Sequence, residues 1–340
     1  MKKMNRIVVL ACMLISVQPL HAQDPSFSQF FSTPLNINPA LTANINADWR
    51  VISNFRDQWI GPASPYVTGT VSYDRKIFQN KIPNVVDEGN IIGVGGMVMF
   101  DHAFSGIVKS TYASLHLSYN LKLSESGENT HRFEAGFGAT YGHRRIDFSS
   151  VNFEEQFTGF GFNTNLPTGE TALSNSKPYL SVSAGLVYSY RTENSNFDIG
   201  VAGYHLNKPM QTFLKDENQY LAMRKVAHAN FETYINPRLV FNTNGIYQFQ
   251  DQAKYISFGG ALGYFLGDYE TLITAGAWYW SENAVIPYVG LAFKSFQFGL
   301  SYDLTTSKLN QAAKTPNTWE FSLIHRGSSK PGKIIPCPWK

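Results

Sequence analysis

Phe296-Gln297-Phe298-Gly299-Leu300-Ser301-Tyr302-Asp303-Leu304 decides the architecture: large apolar groups occupy every second position, and polar residues or glycine fill the places between. A period of two puts one set on each face of an extended strand, so one face is greasy and the other polar. The same alternation recurs along the chain. Ala113, Leu115, Leu117, Tyr119, Leu121 and Leu123 stand against Ser114, His116, Ser118, Asn120 and Lys122. Phe133, Phe137 and Tyr141 alternate with Glu134, Gly138 and Gly142, and Leu180, Val182 and Leu186 alternate with mostly Ser and Gly. In the last such run Trp319, Phe321 and Leu323 oppose Thr318, Glu320 and Ser322.

Alternation alone also fits a soluble sandwich with its apolar faces turned inward. Length separates the two readings. Many of these runs exceed the roughly 5–6 residues of globular strands and approach the roughly 9–11 of a tilted membrane-spanning strand. Their ends carry Trp49, Trp59, Tyr73, Tyr119, Tyr190, Tyr279 and Trp280, residues suited to the two headgroup belts. Charged residues make up only 16% and aromatics 14%, with 27 glycines and no long apolar helix after the first residues, a composition of many short strands and not of a soluble domain.

The pattern predicts an all-β, transmembrane antiparallel barrel of about fourteen strands with an N-terminal non-barrel segment. Strands are expected near 49–59, 65–75, 90–101, 110–123, 131–146, 177–190, 195–206, 224–235, 238–250, 252–266, 270–280, 284–294, 295–304 and 317–326. An even count brings both ends of the wall to one side. Long connections at about 102–109, 147–176, 207–223 and 305–316 alternate with tight turns such as Arg191-Thr192-Glu193-Asn194 and Asn236-Pro237. Short periplasmic turns and long external loops are the expected asymmetry, so both chain termini are expected in the periplasm. The exceptions are a long connection at about 76–89 and two short external ones.

Residues 1–22 read as a signal peptide: Lys2, Lys3 and Arg6 precede the apolar run Ile7 to Val17, too short to span as a helix, and cleavage is expected near Ala22/Gln23. A competing lipobox reading of Val9-Leu10-Ala11-Cys12 is weakened by the apolar run that continues past the cysteine. Cleavage removes three cations and no anions, so the formal +3 falls to about zero and no basic balance argues for nucleic acid. It also leaves Cys337 alone, without an intramolecular disulfide partner. Residues 23–48, rich in Phe, Asn and Pro and without alternation, form either a plug inside the barrel or a periplasmic docking segment. The wall is expected over 49–326, and a basic periplasmic tail over 327–340.

No Gly-x-Ser-x-Gly elbow or His-Glu-x-x-His helix joins the scattered Ser, His116, His143, His205 and Asp residues, so no enzyme, cofactor or metal is expected. His116 reads as a polar wall residue. His143-Arg144-Arg145 is either an anion-binding patch or a solvated rim, and Cys337 either a reactive thiol or an inert tail residue. Gly93-Val94-Gly95-Gly96 and Gly259-Gly260 lack the Lys-Ser/Thr of a phosphate loop and fit wall bending or close approach of a plug. Phe148, Phe153, Phe157, Phe160 and Phe162 in the 147–176 loop suggest inward packing or a partner-binding surface, with inward packing preferred.

After the proposed cleavage point, Gln23-Asp24-Pro25-Ser26-Phe27-Ser28-Gln29-Phe30-Phe31-Ser32-Thr33-Pro34-Leu35-Asn36-Ile37-Asn38-Pro39-Ala40 resembles the opening of the PorP/SprF family of type IX secretion system membrane proteins from Bacteroidetes. Phe55-Arg56-Asp57-Gln58-Trp59, Pro65-Tyr66 and Ser72-Tyr73-Asp74 look like its first hairpin. The ending Lys333-Ile334-Ile335-Pro336-Cys337-Pro338-Trp339-Lys340 resembles its tail more loosely. The resemblance implies an outer-membrane component of the type IX secretion and gliding machinery, in contact with the lipid bilayer, with periplasmic and outer-membrane secretion-system proteins, and with a secreted adhesin-type substrate. The family pattern does not assign those contacts to residues. On physical grounds the expected partner-binding residues are Asp24, Pro25, Phe27, Gln29, Phe30, Asn38 and Pro39, which combine aromatic anchors with amide and carboxylate groups, and Arg326, Lys330, Lys333 and Cys337, placed beyond the last strand. The alternative is an outer-membrane channel for small or hydrophobic solutes with an N-terminal plug; a barrel enzyme acting on lipids is a third reading.

Overall fold

In the computed structural model, the residues described are 24–60, 65–77, 89–126, 129–148, 151–169, 176–212, 219–267, 270–281, 283–307 and 317–328. The expected signal peptide 1–22, Lys330, Lys333 and Cys337 lie outside them. The wall consists of β1 (Trp49–Ile60), β2 (Tyr66–Ile77), β3 (Ile91–Ala103), β4 (Val108–Ser126), β5 (Asn129–Ile146), β6 (Tyr179–Arg191) and β7 (Ser195–Tyr204). It continues with β8 (Arg224–Asn236), β9 (Leu239–Gln250), β10 (Ala253–Phe265), β11 (Thr271–Trp280), β12 (Ala284–Phe293), β13 (Phe296–Tyr302), β14 (Leu304–Thr305) and β15 (Asn317–Gly327).

Each strand pairs antiparallel with its neighbours, and β1 pairs with both β2 and β15, so the sheet closes on itself. The ladder breaks at Asp303, and the two-residue β14 resumes it against β12. Counting β13 and β14 as one interrupted strand, the wall is a closed fourteen-stranded barrel, as the alternation predicts. Closure leaves no unpaired edge, the condition a sheet must meet in hydrocarbon. Among the described residues no helix is long and apolar enough to cross a membrane.

The faces are inverted relative to a soluble protein. Leu115 is 74% exposed and Phe137 64%, whereas Glu134, Ser189 and Glu320 are fully buried. Burying a large apolar side chain is worth about 1.5–3 kcal/mol, so an outer face of this kind needs a bilayer against it. Aromatic girdles mark the two ends of that face. Trp59, Tyr66 and Phe104 meet at one end, and Trp49, Tyr73, His325 and Phe296 at the other. Trp280 departs from its expected place in a belt: it turns in to meet Tyr255 edge-on.

Two mouths follow from the register. At the one where β1 begins, Trp49 pairs with Gly327 and the turns 192–194, 237–238 and 294–295 are short. The opposite mouth carries the long connections 147–178 and 205–223. Asp24, however, sits at that long-loop mouth, bonded to His205, Arg224 and Gln250. At the other end of the same segment, the Asp48 N–H donates to the Gly327 carbonyl. Residues 24–48 therefore cross the lumen from one mouth to the other. The described chain thus starts at the mouth opposite the one where β15 ends, because strand parity places the wall ends and not a segment that threads back between them; the expected mature ends themselves, Gln23 and Lys340, lie outside the described residues.

The crossing is compact because its bends use short turns, Phe30–Ser32, Pro34–Ile37 and Pro39–Leu41, with proline at the first helical position of the last two. The wall makes room with glycine. A Cβ on Gly136 would lie 2.3 Å from the backbone of Pro39 and Ala40, and one on Gly185 would lie 2.0 Å from the Asn38 Oδ1. Gly136→Val is expected to leave a closed barrel, seen as a heat-modifiable gel band, while exposing residues 24–48 to limited proteolysis. Wild-type protection of the segment in that variant would show that the cradle does not seat it.

Candidate functional site

The lumen is organised as layers between this plug and polar wall positions. Nearest the long-loop mouth, the Asp24 carboxylate is 2.8 Å from His205 Nε2 and 3.3 Å from Arg224 Nε. Arg224 also donates to the Asn36 carbonyl at 3.0 Å and lies 4.1 Å over the Tyr204 ring. Burial alone raises the Asp24 carboxyl, but His205, Arg224 and hydrogen bonds from His205 and Gln250 outweigh it and hold it well below the usual carboxylate range.

One layer deeper, the Ser28 and Gln29 N–H groups donate to the two oxygens of Glu320 at 2.7 and 2.8 Å. Gln29 Nε2 donates to the Glu320 carbonyl and to Ser301, and Ser322 Oγ donates to Gln29 Oε1. Beside them Asp303 accepts from Ser28 Oγ at 2.8 Å and pairs with Arg56 at 2.9 Å, both side chains almost fully buried. Arg56 also donates to the Ser26 carbonyl and lies 5.2 Å over the Trp280 ring. The strand break at Asp303 thus coincides with the carboxylate that holds both plug and wall.

The middle layer is apolar. Phe30, Phe31 and Ile37 join Val226, Ile246, Ala261, Trp278, Ile286 and Tyr288, with Phe31 4.7 Å from the Trp278 ring. Below it, Asn38 donates to the wall carbonyls of Leu186 and Val201 and caps its own turn by accepting from the Ala40 N–H. Toward the β1 mouth the Ala43 N–H donates to Asp74, which Arg50 grips through two nitrogens at 2.7 and 3.0 Å. Asn44 donates to Glu134 at 2.9 Å.

Of the residues expected to bind partners, Phe27, Gln29, Phe30, Asn38 and Pro39 are buried in the lumen. Asp24 is nearly buried in its cluster, and Pro25 is half-buried beside it. With the plug seated, this set faces the wall and not an outside partner. Arg326 is a correction: it lies within β15, points inward at 3% exposure and donates to Gln297, because its register puts it on the polar phase of the strand. Glu320, Asp303, Arg56, Asp74, Glu134 and Arg224 complete the site and were not among the expected binding residues. Their signal was present as charge on the polar phase of strands otherwise lined by Ser, Thr, Asn and Gly.

The doublet Arg144-Arg145 splits, Arg144 turning to Ser110 Oγ inside and Arg145 facing out. His116 is a lumen wall residue bonded to Ser114, as expected. In the 147–176 loop, Phe148 packs on Phe153, both half-buried, whereas Phe157 and Phe162 meet each other on the exposed surface and Phe160 stands fully exposed at a hairpin tip. The preferred inward packing therefore holds for only part of the loop. Among the described residues no group of His, Cys, Asp and Glu is placed to hold a metal ion.

These features define a plugged, fourteen-stranded membrane barrel. The chain belongs to the PorP/SprF family of type IX secretion system membrane proteins, whose model matches residues 20–324. No curated protein matches it. Solved structures similar to it include the CymD monoaromatic hydrocarbon channel, at 11% identity and TM-score 0.45 over 87% of this chain and 93% of that one. The Pseudomonas putida toluene transporter TodX is similar at 9% identity and TM-score 0.43 over 86% and 93%. The KdgM porin with oligogalacturonate is similar at 8% identity and TM-score 0.40 over 81% and 98%.

Removing one partner of a buried ion pair costs about 3–5 kcal/mol. Arg56→Met, which takes the guanidinium from both Asp303 and the Ser26 carbonyl, is expected to lower the unfolding temperature of the heat-modifiable band by several degrees; an unchanged temperature would show that the pair does not hold the plug. Asp24 is depressed in the folded state, so its ionised form stabilises above the unfolded value of about 3.9 and is lost only as pH falls through the folded one. The Asp24→Asn deficit in unfolding temperature is expected to be as large at pH 5 as at pH 7, and to close only in strong acid.

Proposed function

We propose that this outer-membrane component of the type IX machinery acts as a filled scaffold. On this reading it holds periplasmic and outer-membrane partners and assists export or surface attachment of large adhesin-type proteins, without conducting solutes and without covalent chemistry of its own. The observation that carries this is the occupied lumen. Residues 24–48 bond to opposite walls from one mouth to the other, and the cavity between Phe31, Ile37, Asp198 and Asn244 has about 60 Å3, room for a few waters. A channel would require the plug to leave, stranding Glu320, Asp303 and Asp74 without their plug donors. Partner contacts then fall to the loops of one mouth and the chain beyond Gly327 at the other.

On this reading the short turns face the periplasm, and Cys337 is expected inside and Phe160 outside. A membrane-impermeant maleimide is expected to label a Phe160→Cys variant in intact cells and to spare Cys337; the reverse labelling inverts the orientation. Deleting the gene is expected to abolish surface display of adhesins while leaving uptake of small and hydrophobic solutes unchanged. Normal display together with lost uptake would establish the channel reading instead.

A further inference from the structure

The outward-facing set at the long-loop end of β3, β4 and β5 differs in kind from the rest of the barrel's outer face. His102, Lys109 and Arg145 are cross-strand partners in one row, His102 opposite Lys109 and Lys109 opposite Arg145. Neighbouring strands are about 4.8 Å apart, so the three basic side chains leave the wall from positions within about 10 Å of one another. His143 lies one outward position below, opposite Thr111. Beneath this row the same face becomes wholly suited to hydrocarbon, with Phe100, Val98, Tyr141, Leu115 and Phe137 all exposed.

A hollow of about 500 Å3 opens beside Arg145, walled by Ile146, Phe148, Val151, Leu166 and Pro167. Asp147 is the carboxylate in that lining, and it is engaged by Lys109 at 2.9 Å. Arg145 has no carboxylate partner among the described residues. The arrangement is a basic row, with Lys109 and Arg145 its cations, continuous below with the bilayer-facing wall and roofed by a loop that lines the hollow with apolar side chains and with Gln156, Thr164 and Thr168. We propose that this flank binds a phosphorylated lipid of the surrounding leaflet, the phosphate on Arg145 and Lys109 and the acyl chains along Tyr141, Leu115 and Phe137. Charge complementarity selects an anion, and continuity with the hydrocarbon face selects one that carries chains. The inference rests on the barrel and its bilayer face, and stands independently of the secretion role.

The test uses the full barrel purified in a neutral detergent, with bound lipid read by native mass spectrometry. Dioleoyl phosphatidic acid is compared with dioleoylglycerol, which has the same chains and no phosphate, and with inorganic phosphate as competitor. Phosphatidic acid is expected to be retained and dioleoylglycerol lost. Each basic side chain near a membrane surface strengthens anion binding about fivefold, so Arg145→Gln and Lys109→Gln are each expected to weaken retention by about that factor. Lys254→Gln, which removes an outward cation at the same mouth on the far side of the barrel, is expected to change nothing. Heat modifiability confirms that each variant is folded. Equal retention of dioleoylglycerol, displacement by inorganic phosphate at matched concentration, or an equal effect of Lys254→Gln would each overturn the proposal.

Discussion

An irregular segment sealed inside a barrel carries backbone N–H groups that no ladder satisfies, and each must find an acceptor or cost about 1–3 kcal/mol. In this protein wall carboxylates supply several of those acceptors. Glu320 takes the consecutive amides of Ser28 and Gln29, and Asp74 takes that of Ala43. The carboxylates in turn require cations or further donors, which explains Arg50 on Asp74 and Arg56 on Asp303. Ion pairs this deeply buried are better read as setting one seat for the plug than as sources of net stability.

The rest of the lumen follows from that seat. Glycines 136, 185 and 299 stand where the plug backbone, Asn38 and Gln29 come closest, since any side chain there would occupy the same space. Between the polar layers, Phe30, Phe31 and Ile37 find Trp278, Tyr288 and Ile286, so the barrel has an interior core as a soluble domain does. Its outer face meanwhile is solvated by lipid. One wall thus serves two environments, and the period-two alternation assigns alternate residues to each.

A filled lumen moves attention to what the wall presents at its rims. The long-loop mouth bears an exposed aromatic hairpin tip at Phe160 and, on its outer flank, the two cations Lys109 and Arg145 in one row with His102. At the opposite mouth several connections are short turns, and the first and last strands meet there at the Trp49 to Gly327 pair. On the proposed scaffold reading, this division suits a body that is held at its rims more than one that is traversed.

Alternation in runs such as 296–304 was enough to predict strands, their approximate number and their antiparallel order, and the length of the runs with the aromatic residues at their ends added the membrane, because each is a local or additive property of the chain. The opening at 23–40 was legible as a non-barrel segment and as the family's signature. Its direction of travel was not: whether Asp24 lies by His205 or by Gly327 depends on a fold-back across the lumen that strand counting does not encode. Glu320, Asp303 and Arg56 were visible as charges on the lumen phase, but contacts separated by some 250 to 290 residues, such as Arg56 to Asp303 and Gln29 to Glu320, exist only once the sheet has closed. The same closure turned Arg326 from an expected tail cation into a buried wall residue and divided Arg144 from Arg145. The sequence by itself determined which residues face lipid and which face the lumen; the tertiary structure alone decided what fills that lumen, because the plug's partners are brought together by barrel closure and by nothing local in the chain.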